Sequence, residues 1–264
     1  MKAIITGGTG FVGKYVVKEL LNKNNQITLL TSDKTFKYDN PCVRIVHTNY
    51  TYNDLMEKIS EIGSQDIFYH LGWAGVGGKE KNNISLQTSN IQCSIDMILY
   101  SKKLGCSVFV AAGTVAEYVF NKDVIDFSKK QTPNDVYGAT KVATHYMLEA
   151  VAREIKQNLI WAVLPSTFGE GRKEDNIISY TVVKLLRGEK PLYGNLEQMW
   201  DFLYVTEVAR ALVLIGEKGT PNTTYGIGSG EYRLLKEYIC VIRDMIIVFI
   251  NGDVEREENN MKKT

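Results

Sequence analysis

The stretch Thr6-Gly7-Gly8-Thr9-Gly10-Phe11-Val12-Gly13 decides the fold expected of this chain. It follows an apolar run at residues 3–5 and precedes a segment of helical period, so it predicts a glycine-rich turn between a strand and a helix. Gly7 suits a tight turn, Gly10 lets the backbone approach a pyrophosphate, and Gly13 lets the helix pack on the sheet. A helix N-terminus also offers N–H groups to an anion. The predicted dinucleotide contacts are Gly7, Gly10, Phe11, Val12 and Gly13.

Short apolar runs alternate with segments of helical period along the first part of the chain. The runs predicted to be strands are residues 3–5, 27–30, 43–46, 67–71, 108–111 and 160–164. Repeated β-α units of this kind predict an α/β fold of the Rossmann type, a doubly wound parallel sheet with helices on both faces.

The alternation fades near residue 165, which suggests a division of the chain. We expect a dinucleotide-binding core at residues 1–165, to which some later segments return. A smaller and less regular C-terminal substrate lobe is expected at residues 166–250. Residues 251–264 are charged and have no apolar period, so a disordered tail is predicted there.

Composition excludes several classes of function. The 264 residues carry a net charge of +1 with no long block of either sign, so neither nucleic acid nor an anionic membrane is an expected partner. The 4 cysteines and 3 histidines are scattered, so no metal site is predicted. The longest apolar run, residues 245–250, is far too short to span a bilayer, and the N-terminal run is too short for a signal peptide. A cytoplasmic protein is therefore expected.

The end of the second predicted strand bears on the choice between NAD and NADP. An acidic residue there would bind the ribose 2′-hydroxyl of NAD, but Thr31 occupies that position. Thr31, Ser32 and Lys34 could accept a 2′-phosphate, whereas Asp33 could reach the ribose of NAD. This pattern slightly favours NADP. Asn49, after the third strand, is a candidate for hydrogen bonding to the adenine.

Tyr137 and Lys141 are four residues apart in a segment that follows a helix start at residues 132–135. They therefore share one helical face, about 5.4 Å apart along the axis. A nearby ammonium favours tyrosinate, as a general acid/base for an alcohol or ketone requires. Thr114 follows the strand at residues 108–111, and ligands of open α/β sheets bind at the carboxyl ends of strands. These three residues are the predicted catalytic group.

Three motifs carry a resemblance to a known family. TGGTGFVG at residues 6–13, YGATK at 137–141 and WDFLYVTEVARA at 200–211 resemble the extended short-chain dehydrogenase/reductase family, the NAD-dependent epimerase/dehydratase group that acts on nucleotide sugars. DIFYHL at residues 66–71 is similar to another strand motif of that family. The resemblance runs from residue 1 to about residue 240. Members of the family usually continue with further elements, so the resemblance implies that the C-terminal substrate lobe of this chain is shortened.

The resemblance implies roles for individual residues. Thr114, Tyr137 and Lys141 take the catalytic positions, and Lys141 would also hold the nicotinamide ribose. Further implied cofactor contacts are Leu71, Gly72, Pro165 and Thr167, and the implied substrate contacts are Trp73, Thr114 and Asn176. The resemblance also implies a homodimer formed through the helix of Tyr137, where Met147, Val151 and Ile155 could form the face.

The residues after Thr114 bear on the reaction. In the family that this chain resembles, nucleotide-sugar 4,6-dehydratases usually place Asp-Glu there, because elimination of water needs an acid and a base. This chain has Val115-Ala116, so a dehydratase is disfavoured. Glu117 is expected to point elsewhere. The favoured function is reduction of a 4-keto(-6-deoxy) nucleotide sugar by hydride transfer. A nucleotide-sugar 4-epimerase is the alternative, and a dinucleotide-binding or sensing protein without turnover is the third possibility.

Overall fold

The structure, a computed structural model, describes residues 1–118, 130–173 and 176–261, and side chains as far as residue 249. Its strands are β1 (Lys2–Thr6), β2 (Gln26–Thr31), β3 (Val43–His47), β4 (Ile67–His70), β5 (Val108–Thr114), β6 (Leu159–Leu164), β7 (Ser166–Phe168), β8 (Met199–Trp200), β9 (Phe202–Tyr204), β10 (Thr223–Gly226) and β11 (Arg233–Leu234). Its α-helices are α1 (Phe11–Asn22), α2 (Tyr52–Glu57), α3 (Ile59–Ile62), α4 (Ile84–Lys103), α5 (Val136–Ile155), α6 (Ile177–Leu186), α7 (Val205–Lys218) and α8 (Leu235–Met261). Short 3₁₀ helices lie at Gly78–Asn82 and Val115–Glu117.

A seven-stranded parallel sheet organises the first of two compact units, which comprises Met1–Thr167 and Leu203–Gly228. Its strand order is β3-β2-β1-β4-β5-β6-β10, and each adjacent pair is parallel. This is the doubly wound order in which the direction of winding reverses between β1 and β4. The predicted Rossmann-type sheet is confirmed, and each of the six predicted strands is present.

Alternate residues of the strands serve two separate cores, because successive side chains point to opposite faces of a sheet. Ala3 and Ile5 pack with α1 and α7 on one face, whereas Ile4 packs with α4 and α5 on the other. Trp161, Phe68 and Phe109 are among the largest buried side chains of the second core. The predicted covering of both faces by helices is therefore confirmed.

Two later elements belong to the sheet unit. Helix α7 buries Val208, Leu212 and Val213 in the core shared with α1, and β10 adds an edge strand beside β6. The sequence anticipates such returning segments without locating them. β10 was missed because TTYG at residues 223–226 lacks a strong apolar run.

The second compact unit comprises described parts of Phe168–Phe202 and of the segment from Ser229 onward. Within it α6 packs against α8, and β8 pairs antiparallel with β11. The Tyr238 hydroxyl donates to the Trp200 carbonyl oxygen at 3.1 Å. The backbone of α8 continues to Met261, into the segment where charge composition predicts disorder. Glu and Arg are good helix formers, which accounts for a helical backbone there. Residues 262–264 lie outside the described residues.

Helix α5 presents both buried and exposed apolar residues. Val151 and Ile155 pack against the second core, while Met147 and its neighbour Tyr146 are exposed. The proposed dimer face thus divides between core and surface, and the homodimer stays a prediction that sedimentation can test. Among the described helices, none has the length and apolarity needed to cross a bilayer.

Candidate functional site

The glycine-rich turn connects β1 to α1 as predicted, and its geometry requires glycine at two positions. Gly7 has a φ of +73°, and a Cβ there would meet the Gly72 amide nitrogen at 2.5 Å. A Cβ on Gly13 would lie 2.0 Å from the Gly7 carbonyl oxygen. Gly10 is the N-cap of α1 and carries no side chain over the start of the helix. The turn therefore keeps the first-turn backbone of α1, at Phe11 and Val12, close to β1, which fits a bound pyrophosphate.

The loop after β2 differs from the interpretation that favoured NADP. Thr31 is buried, and its Oγ1 accepts the Asp33 N–H at 3.1 Å, so this hydroxyl belongs to its own turn. The Asp33 carboxylate accepts from the Thr35 hydroxyl and amide at 2.6 and 2.9 Å, and these bonds lower its pKa. Ser32 and Lys34 are exposed. Burial makes Thr31 a poorer candidate for a 2′-phosphate contact, and the roles of Thr31, Ser32 and Lys34 toward a cofactor stay predictions.

The end of β4 is fixed by a buried histidine. His70 Nδ1 lies 2.8 Å from Thr6 Oγ1, and His70 Nε2 lies 2.9 Å from Ser94 Oγ. Burial, assisted by the positive charge of Lys141, lowers the pKa of His70 to about 3, so the ring is neutral at pH 7. The Gly72 N–H donates to Thr6 Oγ1 at 3.2 Å. These bonds join the glycine-rich turn to the Leu71–Gly72 segment predicted to contact the cofactor.

Trp73 follows directly and is held by α4. Its Nε1 donates to Gln87 Oε1 at 2.9 Å, while Asn90 accepts the Ala74 N–H at 2.9 Å. The ring of Trp73 meets Tyr137 edge-on, with centroids 6.1 Å apart. Trp73 therefore lies beside the predicted catalytic group, as its predicted substrate role requires.

Tyr137 and Lys141 lie on the first turns of α5. Asp135 is the N-cap and accepts the Gly138 N–H at 2.7 Å, so the predicted helix start is confirmed. Lys141 is buried; its Nζ donates to the Ala112 carbonyl oxygen at 2.7 Å and lies 3.7 Å from the Trp73 ring centroid. Burial lowers the pKa of Lys141, and the negative charge of Glu117 opposes that effect. The Lys141 Nζ is thus held by a backbone carbonyl and an aromatic face, and the charge of Glu117 acts on it without a direct ion pair.

Thr114 ends β5, two residues after the carbonyl that binds Lys141. Its Oγ1 accepts the Ala116 N–H at 3.2 Å and caps the 3₁₀ helix Val115–Glu117. A hydroxyl that accepts can still donate its own hydrogen, so this cap is compatible with a hydrogen bond to substrate. The structure brings Thr114, Tyr137, Lys141 and Trp73 to the carboxyl ends of β4 and β5.

The sequence did not indicate that Glu117 lies beside the predicted catalytic residues. Glu117 is fully buried and accepts the Thr114 N–H at 2.7 Å and Trp161 Nε1–H at 3.2 and 3.3 Å. Burial raises the pKa of Glu117, and hydrogen bonding by Thr114 and the charge of Lys141 oppose the rise. The carboxyl group is directed into the interior, to the Thr114 amide and the Trp161 indole. Its spacing of three from Thr114, as in a capping box, was the available signal.

The remaining predicted contacts have local partners. Asn49 Oδ1 accepts from the Thr51 hydroxyl and amide at 2.7 and 2.9 Å, and Thr167 Oγ1 donates to the Pro165 carbonyl oxygen at 3.1 Å. In the second unit, Asn176 caps α6 by accepting the N–H groups of residues 178 and 179. The roles of Asn49, Pro165, Thr167 and Asn176 toward ligands stay predictions. Within the described residues, no three His, Cys, Asp or Glu side chains cluster as a metal site.

Comparison with known families decides the classification. The model of the NAD dependent epimerase/dehydratase family matches residues 3–228. The chain belongs to that family. The members of this family that resemble the chain act on nucleotide sugars by epimerase, dehydratase and reductase reactions.

Individual members of the family resemble the chain at low identity. A putative UDP-glucose 4-epimerase of Methanocaldococcus jannaschii is 24% identical over 92% of this chain and 82% of its own. The dTDP-4-dehydro-6-deoxyglucose reductase of Escherichia coli is 25% identical over 90% of this chain and 80% of its own. The crystal structure of UDP-N-acetylglucosamine 4-epimerase from Bacillus cereus matches with a TM-score of 0.81 at 22% identity, covering 93% of this chain and 82% of that chain. Other relatives carry dehydratase names. The family is shown, and these names leave its reaction open.

Proposed function

We propose that this protein is an NAD-dependent oxidoreductase that reduces a 4-keto(-6-deoxy) nucleotide sugar. The observation that carries the proposal is the placement of Tyr137 and Lys141 at the carboxyl ends of β4 and β5, with the buried Lys141 ammonium bound to the Ala112 carbonyl. Ligands of doubly wound sheets bind at that edge. A purely binding protein has no need of a buried lysine one helical turn from a tyrosine.

The proposed reaction assigns one role to each side chain. Tyr137 donates its phenolic proton to the carbonyl oxygen of the sugar, and the charge of Lys141 stabilises the tyrosinate that remains. The Thr114 hydroxyl donates a hydrogen bond to the same oxygen and so polarises the carbonyl. Bound NADH supplies the hydride. The glycine-rich turn of Gly7, Gly10 and Gly13 would hold its pyrophosphate.

The cofactor proposed is NAD. The family is named for NAD, and Thr31 is buried within its own turn, which leaves fewer groups for a 2′-phosphate. We expect tighter binding of NADH than of NADPH when each is titrated into the protein and energy transfer from tryptophan to the nicotinamide is followed. Tighter binding of NADPH would overturn this choice, and binding of neither to the folded chain would overturn the oxidoreductase proposal.

A 4-epimerase is the second candidate, because relatives of the chain carry that name. A reductase consumes one NADH for each ketone reduced. An epimerase interconverts two sugars without net change in NADH. Incubation with 4-keto nucleotide sugars and NADH, and separately with UDP-glucose, followed by NADH absorbance and sugar chromatography, distinguishes the two reactions. The dehydratase reaction has less support, since the buried Glu117 is bound by Thr114 and Trp161.

Replacement of the proposed acid is the sharp test of the mechanism. We expect Tyr137→Phe to lose turnover by at least about 100-fold, the low end for general acid/base catalysis, while NADH affinity is retained. The matched control is Tyr146→Phe on the exposed surface of α5. Unchanged turnover of Tyr137→Phe would remove Tyr137 from the mechanism.

A further inference from the structure

A buried carboxylate, that of Glu117, lies at the end of the 3₁₀ helix that follows β5. Glu117 accepts hydrogen bonds from the Thr114 amide and the Trp161 indole, and Gln131 Nε2 donates to its Oε2 at 3.1 Å. Together with Thr114 it forms a capping box around the 3₁₀ helix Val115–Glu117. Burial of a carboxylate costs free energy, because the group loses its hydration. Such a group is tolerated where hydrogen bonds or a nearby opposite charge offset that cost.

The backbone beside Glu117 is shaped to admit that carboxylate. A Cβ on Gly113 would lie 2.3 Å from Trp161 Nε1 and 2.7 Å from Glu117 Oε1. Trp161 also lies near the ammonium, with Lys141 Nζ 5.9 Å from its ring centroid. Glu117 and Lys141 thus contact opposite parts of one short segment, residues 112–114, at its Thr114 amide and its Ala112 carbonyl.

We propose that Glu117 is a positioning residue for the reaction, which fixes the turn of Thr114 and places a buried negative charge beside Lys141. The inference rests on the proposed function for its kinetic readout. Tyrosinate formation requires a protonated lysine, and a buried ammonium loses its proton easily. The carboxylate keeps Lys141 charged in a position that water does not reach.

Other titratable groups near Lys141 and Glu117 lie on β4, on α5 and directly after the 3₁₀ helix. His70 on β4 and His145 on α5 have pKa values lowered by burial to about 3 and about 4, so both are neutral at pH 7. Burial raises the pKa of Tyr118, which follows the turn, so it is neutral as well. Tyr137 shares α5 with Lys141. The charge that acts on the ammonium from the turn is therefore that of Glu117.

The first experiment measures protonation and needs no substrate. The protein is labelled with ¹³C at the lysine ε-carbon, and Lys141 is assigned by loss of its signal in Lys141→Met. We expect Glu117→Gln to move the Lys141 titration to lower pH by about one unit or more, because removal of an opposite charge disfavours the ammonium. Glu154→Gln, an exposed carboxamide substitution on the same helix, serves as the matched control and should leave the titration unchanged. An unchanged titration in Glu117→Gln would overturn the proposal.

The second experiment uses the pH profile of turnover. Loss of the lysine proton ends activity at alkaline pH, so the alkaline limb of kcat should move to lower pH in Glu117→Gln while KM for NADH stays unchanged. Glu117→Asp keeps a negative charge but moves it away by one methylene group, so its alkaline limb should lie between those of Glu117→Gln and wild type. A substrate that is turned over with the same profile by wild type and Glu117→Gln overturns the positioning role and leaves the proposed function standing. A shifted Lys141 titration in Glu117→Gln, with no substrate turned over by the wild type, would support the effect of Glu117 on Lys141 and count against the proposed function.

The choice of substitution for the titration depends on whether Glu117→Gln folds. Where Glu117→Gln does not give a folded protein by circular dichroism, Glu117→Asp takes its place in the titration. Withdrawal of the carboxylate by one methylene group should still lower the Lys141 titration, by a smaller shift. A titration identical to wild type in Glu117→Asp, with the Thr114 turn intact, would then count against the proposal.

Discussion

At the residue scale, Gly13 shows why the glycine-rich turn requires a residue without a Cβ. An added Cβ would lie 2.0 Å from the Gly7 carbonyl oxygen, a backbone atom that can move only if the turn moves. We expect Gly13→Ala to lower the free energy of unfolding by about 1–3 kcal/mol, as overpacking does, and to weaken NADH binding at least tenfold. Urea unfolding and fluorescence titration measure the two effects. Gly194→Ala, where a Cβ meets nothing within 4 Å, is the control, and equal behaviour of both variants would contradict the argument.

At the element scale, α5 matters because it carries both Tyr137 and Lys141. Its N-cap, Asp135, accepts the Gly138 N–H at 2.7 Å and lies 3.6 Å from Lys81 Nζ. Asp135→Ala should lower the free energy of unfolding by about 1 kcal/mol, the usual value of a lost cap. Asp135→Asn keeps a capping oxygen and should stay close to wild type in the same urea unfolding series. A full loss in Asp135→Asn would assign the effect to the ion pair with Lys81 instead.

At the scale of the whole molecule, two buried histidines make the free energy of unfolding depend on pH. Burial lowers the pKa of His145 to about 4, whereas the unfolded chain protonates histidine near its ordinary value of about 6.5. Between these values the unfolded state binds more protons, so the free energy of unfolding falls as the pH falls through that window. His70 acts in the same direction, with its pKa lowered to about 3.

The test compares how steeply the free energy of unfolding changes with pH in the wild type and in variants. In His145→Phe the ring can still stack on Trp161, which lies 4.5 Å away in the wild type, but it cannot take up a proton. The decline of the free energy of unfolding between pH 6 and pH 4.5 should therefore be shallower in this variant, by about 1 kcal/mol per pH unit. Thr88→Val, at an exposed position on α4 without a titratable group, should keep the wild-type slope. Equal slopes for His145→Phe and wild type would show that His145 is protonated in the folded protein.

The sequence by itself determined the alternation of strands and helices, the glycine-rich turn and the spacing of Tyr137 and Lys141. These are local properties, because apolar period, a helix cap and a four-residue spacing each involve near neighbours in the chain. A TGGTGFVG turn after an apolar run has few other conformations open to it. The parallel sheet followed from the repeated β-α units.

Only the tertiary structure decided the surroundings of Lys141. Trp73, Glu117 and Trp161 come from three separate segments, and nothing local to any of them indicates that they meet around α5. Likewise, the burial of Thr31 and the placement of β10 beside β6 depend on the packing of the sheet. Desolvation lowers the pKa of Lys141 and raises that of Glu117, and a residue is desolvated only when distant segments close over it.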